Sequence, residues 1–176
     1  MDVACRLHFA SYTVGGVPGA GALPRTARPG ANDVGAHRER SRCPIAYSLD
    51  VLGDRWTLLI LRDLAFKNHR YFQDFQGASE RIASNILTDR LRRLERWKLI
   101  ERHADPADGR RVRYFLTDDG LDLIPVLLEM TIWGSKRHPD PSVPVERAEE
   151  LRSDRDAVVR SYQERHREER DAALRA

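Results

Sequence analysis

Apolar residues recur at three- and four-residue spacing from Pro44 onward, and this pattern divides the chain into elements. Pro44 suits the first position of a helix whose buried face is Ile45, Leu49 and Leu52, ended by Gly53. Asp54 can cap a second helix, because its carboxylate accepts from the open first-turn amides, and Trp56, Leu59, Ile60 and Leu64 supply the apolar stripe. Asn68-His69-Arg70 breaks that helix, and a short third one turns Phe72 and Phe75 inward before Gly77. From Ile82 to Lys98, the residues Ile82, Ile86, Leu87, Leu91 and Leu94 form one stripe of a longer helix. Two alternating runs, Leu99 to His103 and Val112 to Leu116, predict a β-hairpin. Its turn uses Asp108-Gly109 at positive φ; Ile100, Val112, Tyr114 and Leu116 face the core, and Arg113 faces out. Thr117, with Asp118 and Asp119 behind it, opens a further helix carrying Leu121, Ile124, Leu127, Leu128 and Trp133, kinked by Pro125.

The two ends of the chain lack this periodicity. Gly15 to Gly35 is crowded with glycine and proline and offers no apolar face, so residues 1–41 read as a disordered leader. These glycines do not make a phosphate loop, because no Gly-Lys-Ser/Thr ending follows and no strand precedes them. The expected domain spans 42–138. Beyond it, residues 139–176 read as a Pro-rich linker and a charged helical tail: Glu146 to Arg175 holds nine acids and eight arginines, with apolar residues too sparse for a core of its own.

Whole-chain charge says little, since 30 Lys and Arg against 27 Asp and Glu leave a formal +3. Local charge says more. Between Arg81 and Lys98 there are six bases and two acids, and Arg110, Arg111 and Arg113 follow on the hairpin. A mainly α chain ordered helix, helix, helix, long basic helix, hairpin, helix matches a winged helix-turn-helix, in which one helix enters the major groove of duplex DNA and the hairpin forms a wing. On that reading Ser84, Asn85, Thr88 and Asp89 are base-edge candidates, with Asn85 able to pair with adenine. Arg90, Arg92 and Arg93 reach phosphates, Arg90 having an intramolecular carboxylate as its alternative. Arg110, Arg111 and Arg113 of the wing reach the minor groove or backbone.

Other functions fit less well. The histidines at 8, 37, 69, 103, 138 and 166 are scattered, and no hydrolase, zinc-protease or nucleotide-binding motif is present, so neither an enzyme nor a metal or cofactor is expected. Met1 to Ala10 lacks signal-peptide features and no stretch approaches the roughly 20 apolar residues of a membrane span, which points to the cytoplasm. The alternative that stays open is a winged helix serving as a protein-interaction or RNA-binding module.

Cys43-Pro-Ile-Ala-Tyr-Ser-Leu-Asp-Val-Leu-Gly-Asp-Arg-Trp-Thr-Leu-Leu-Ile-Leu-Arg-Asp-Leu64, Ile82-Ala-Ser-Asn-Ile-Leu-Thr-Asp-Arg-Leu-Arg-Arg-Leu-Glu95 and Tyr114-Phe-Leu-Thr-Asp-Asp-Gly120 resemble the HxlR-type transcription regulators, related to the MarR group. The resemblance covers about Arg42 to Arg137. It implies a homodimeric regulator, by analogy a repressor, that binds a near-palindromic operator and dimerises through its first and post-wing helices. Trp56, Leu121, Leu128 and Trp133 are the candidate apolar surface shared between core and dimer contact. One departure is Trp97-Lys98, where members often carry Gly before the hairpin. A cysteine at the position of Cys43 is common in the family and senses oxidants or electrophiles in some members. A thiol ahead of a helix, with Arg40 and Arg42 near it in sequence, is a candidate redox sensor. A small-molecule effector could act by changing the distance between the two reader helices.

Overall fold

The computed structural model describes residues 43–175, so the leader and Cys5 lie outside it. Helix α1 (Pro44–Leu52) starts on its proline as expected, but only Val51 is buried. Ile45 and Leu49, read as core, stand 69% and 61% exposed, and Tyr47 beside them is equally open. Helical spacing identifies a face without saying what covers it. Helix α2 (Arg55–Phe66) begins at Asp54, whose side chain accepts from the Thr57 amide, and buries Ile60, Leu61 and Leu64. Helix α3 (Phe72–Gln76) inserts Phe75. Helix α4 (Ser84–Arg96) lays Leu87, Leu91 and Leu94 into the core, Ile82 packing just ahead of it and Ile86 half-buried. Each fully buried leucine stabilises the fold by about 1.5–3 kcal/mol.

The end of α4 explains the departure at Lys98. The Lys98 amide donates to the Glu95 carbonyl and the Leu99 amide to the Leu94 carbonyl, the paired bonds of a Schellman cap. That cap places Lys98 at φ 56°, the left-handed region where a Cβ is strained and glycine is not. Lys98→Gly is therefore expected to stabilise the protein by about 0.5–1 kcal/mol in urea unfolding, with an unchanged m-value.

Strands β1 (Ile100–Ala104) and β2 (Val112–Leu116) pair antiparallel, Ile100 opposite Leu116 and Ala104 opposite Val112. A single bridge from Tyr71 to Arg113 sets one residue of a third segment beside β2. The turn differs from expectation, because Gly109 does not take positive φ. The Asp105 carboxylate organises it instead, accepting from the Ala107 amide at 2.8 Å and the Asp108 amide at 3.3 Å.

The single kinked helix expected after the hairpin is two helices. Helix α5 (Asp118–Leu121) is capped by Thr117, and α6 (Ile124–Ser135) starts afresh with Pro125 in its first turn, where a missing amide costs nothing. Leu121 and Leu128, proposed from sequence as partly shared with a dimer partner, are fully buried in the protomer core. The exposed apolar residues of α6 are Val126, Met130 and Trp133, with Glu129 among them.

The largest difference concerns the tail, expected to be a linker and a charged helical segment with too few apolar residues for a core of its own. Helices α7 (Val145–Ser153) and α8 (Arg155–Arg175) pack on the domain, burying Ala148, Val159 and His166, with Leu151, Val158 and Tyr162 packed against the core. Arg155 pairs with Glu129 of α6, and Arg170 reaches Asp118 and the Leu116 carbonyl. Among the described residues no helix is long and apolar enough to cross a membrane.

Candidate nucleic-acid interface

Helix α4 is positioned by its arginines as much as by its leucines. Arg90 donates from Nε to Asp54 Oδ1 at 2.7 Å and from Nη2 to Oδ2 at 3.1 Å, and also pairs with Asp89. Arg93 donates to the Asp50 carbonyl at the end of α1. Two of the three expected phosphate contacts thus hold α4 against α1 and α2; the carboxylate alternative for Arg90 is what the structure contains. Arg92 is exposed, and so is Arg96, which was not among the candidates from sequence. Which arginines face the protein follows from where α1 and α2 lie, and the spacing within α4 does not carry that information.

The Arg90 guanidinium draws the Asp54 carboxyl down to about 2, against the opposing effect of burial. Arg62, with hydrogen bonds of 2.6 and 3.2 Å, brings Glu80 to about 2 in the same way. Both carboxyls are lowered on folding, so their contribution is complete above about pH 4.5 and is lost as pH falls toward 2. It amounts to on the order of 2 kcal/mol for each. Unfolding free energies measured from pH 5 to pH 2.5 should fall accordingly, and Asp54→Asn should be less stable at pH 7 with a flatter acid limb.

At the opening of α4, Ser84, Asn85 and Asp89 are exposed, while Thr88 is half-buried and donates its hydroxyl to the Ser84 carbonyl at 2.8 Å. The N-cap residue Ala83 brings no side-chain acceptor. The first amides of α4 are therefore left for solvent or for an anion at the positive end of the helix.

The wing is braced from α3. Arg111 lies over the Tyr71 ring, 3.8 Å from its centroid, and the Tyr71 hydroxyl donates to Asp105, the residue that organises the turn. That bond, with burial adding to it, raises the Tyr71 phenol above the ordinary tyrosine range. Tyr71 and Asp105 were not foreseen, because their roles depend on a contact between segments over thirty residues apart. Arg110 and Arg111 are exposed at the tip as expected. Arg113 is not: it is half-buried over Phe115, with 5.0 Å to the ring, and lines a groove with α8. The expectation that Arg113 faces outward assumed one open sheet face, and α8 covers that face.

Cys43 occupies the N-cap position of α1, half-buried, with extended backbone. Arg40 and Arg42, invoked beside it, lie outside the described residues. Trp56 is half-buried with Arg55 over its ring, and Trp133 is exposed with Arg137 over it.

Three helices, a longer helix with a polar opening, and a two-stranded hairpin ahead of further helices define a winged helix-turn-helix, the fold of a large class of transcription regulators. The model of the HxlR-like helix-turn-helix family matches residues 51–141, and the chain belongs to that family. The HTH-type transcriptional regulator sll1512 of Synechocystis is 37% identical over 113 residues, 64% of this chain and 83% of the relative. YdeP of Bacillus subtilis, of the same type, is 36% identical over 94 residues, 53% of this chain and 73% of the relative. Among solved structures, the candidate transcription factor PA1607 shares 36% identity across 59% of this chain and 71% of its own, with a TM-score of 0.52. The redox regulator HypR, in its oxidised form, shares 28% across 56% of this chain and 100% of its own, with a TM-score of 0.50. The chain is thus a transcription regulator of the helix-turn-helix type, and its relatives are regulators rather than enzymes.

Proposed function

We propose that residues 42–138 bind duplex DNA as a homodimer on a near-palindromic operator, and that the protein acts as a repressor in the cytoplasm. Helix α4 enters the major groove with Ser84, Asn85, Thr88 and Asp89 at the base edges. Arg92 and Arg96 take phosphates, and Arg110 and Arg111 place the wing on the minor groove or backbone. The observation that carries this reading is the exposed, uncapped polar opening of α4, next in the chain to a wing whose tip arginine is held in place by Tyr71. A homodimer follows from reach: one reader helix contacts too few base pairs for specificity, whereas two related by a twofold axis read half-sites about a helical turn or more apart. The exposed apolar residues of α1 and α6 are the proposed contact between copies.

The test is binding to labelled duplex from the upstream region of the protein's own gene at two salt concentrations. Asn85→Ala is expected to weaken binding to the preferred sequence by about 5–150-fold and to relax its selectivity. Arg111→Ala is expected to weaken binding to all sequences and to make the salt dependence shallower by about one unit. No preference for duplex at either salt would favour a protein-interaction or RNA-binding module. A third arm uses Cys43→Ser, since HypR is a redox regulator. An oxidant response lost in that variant supports sensing by Cys43, and one retained overturns it.

A further inference from the structure

Between the wing and α8 lies a groove of about 330 Å³ lined by Asn68, Arg70, Arg113, Glu169, Ala172 and Ala173. Its two arginines are in opposite situations. Arg70 is buried and fully engaged: Nη1 donates to the Leu64 and His69 carbonyls, both at 3.0 Å, and Nη2 to Glu169 at 2.6 Å and to His166 Nδ1 at 3.1 Å. Glu169 is taken up by Arg70 and, at 4.0 Å, by Arg165. Arg113 has no ion pair among the described residues, and its Nε is shielded from water with no acceptor. Buried donors are normally satisfied, so an unanswered Nε–H on a residue that lines a groove calls for an acceptor.

The surrounding charge agrees. Burial pulls the Arg70 guanidinium below the usual arginine range, Glu169 opposes this, and the charges of Arg113 and Arg165 add to the lowering. Arg70 and Arg165 draw on Glu169, while Arg113 adds its charge beside Arg70 and acts on Asp105 of the turn without an ion pair to it. The floor supplied by Ala172 and Ala173 is apolar and has no side-chain donors.

We infer that this groove binds a small organic carboxylate, its head paired with Arg113 and assisted by the Asn68 amide, and its apolar body resting on Ala172 and Ala173. A planar carboxylate suits one guanidinium fork, while Glu169 in the wall disfavours a phosphate dianion. Glu169, Ala172 and Ala173 stand on α8, outside the segment matched by the family model, whereas Asn68, Arg70 and Arg113 lie within it.

The experiment is calorimetric titration of the full-length protein, without DNA, using hexanoate, butyrate, hexanol and inorganic phosphate. Because DNA is absent, the result is independent of the reading proposed above for α4. Hexanoate should saturate one site per chain and bind more tightly than butyrate, with no binding of hexanol or phosphate. Arg113→Met, which keeps an unbranched apolar stem and removes the guanidinium, should weaken hexanoate at least tenfold. Ala173→Asp, which puts a carboxylate into the groove, should do the same while circular dichroism stays unchanged. Absence of saturable binding, phosphate binding more tightly than hexanoate, or affinity unaltered in both variants overturns the assignment. So does an Arg113→Met chain that loses duplex affinity, with a salt dependence shallower by about one unit, when hexanoate does not bind: Arg113 is then a DNA phosphate contact.

Discussion

Met130→Glu combined with Trp133→Glu is expected to convert a dimer into a folded monomer and to weaken operator binding at least 100-fold. The two residues lie one turn apart on the outer face of α6 and are 48% and 61% exposed, so the substitutions remove nothing from the protomer core. In a contact between copies they would replace apolar surface by two carboxylates whose burial Arg137 and Arg155 nearby only partly offset, which costs several kcal/mol and dissociates the pair. Loss of one half-site then removes much of the operator affinity. Sedimentation velocity at micromolar concentration gives the mass, and titration of labelled operator gives the affinity. A dimer that persists with unaltered DNA binding would take α6 out of the interface. Leu128→Glu, at a residue that the sequence offered for the dimer contact, does not test it, because Leu128 is in the core and the variant would unfold.

The second large effect is expected at Arg70. Arg70→Met keeps the aliphatic bulk but leaves the Leu64 carbonyl, His166 Nδ1 and Glu169 without their shared donor. Removing one partner from a largely buried charged network costs about 3 kcal/mol or more. His166 amplifies the loss. Its Nε2–H faces the Ala65 carbonyl at 2.8 Å and its Nδ1 faces Arg70, an arrangement that fits the neutral ring, and burial pushes its pKa down. The network ties α8 to the end of α2, so Arg70→Met should also speed proteolysis within residues 155–175. Glu169→Gln keeps an acceptor and should cost about 1 kcal/mol. A urea midpoint for Arg70→Met equal to that of the parent would mean that the network contributes no net stability.

Local chemistry made much of this architecture legible. The Asp54 cap, the apolar stripe of α4, the strand pairing and the Thr117 cap each rest on a few neighbouring residues, and they appear within a residue or two of where periodicity places them. Pro125 was read as a kink because proline breaks a helix, yet the same residue opens one equally well; the choice depended on whether the preceding turn could close on Thr117. For the tail, its alternating charges gave no local sign of the partners that receive them: Arg70 ahead of α3 for Glu169, Lys136 after α6 for Glu149, and Glu129 and Asp118 for its own arginines.

The candidate interface divides along the same line. Ser84, Asn85, Arg110 and Arg111 were identified as polar groups on an amphipathic helix and at a turn, properties that the chain carries locally. Arg90, Arg93 and Arg113 could not be sorted in that way, since a guanidinium several bonds from its backbone serves a phosphate, a carboxylate or a carbonyl with the same sequence around it. Sequence thus determined which segments are helical, where they are capped and which face of each is apolar, because these depend on spacing and on neighbours within one turn. Tertiary structure alone decided which apolar faces are covered, which cations are already paired and what α8 rests on, because those depend on distances between residues far apart in the chain.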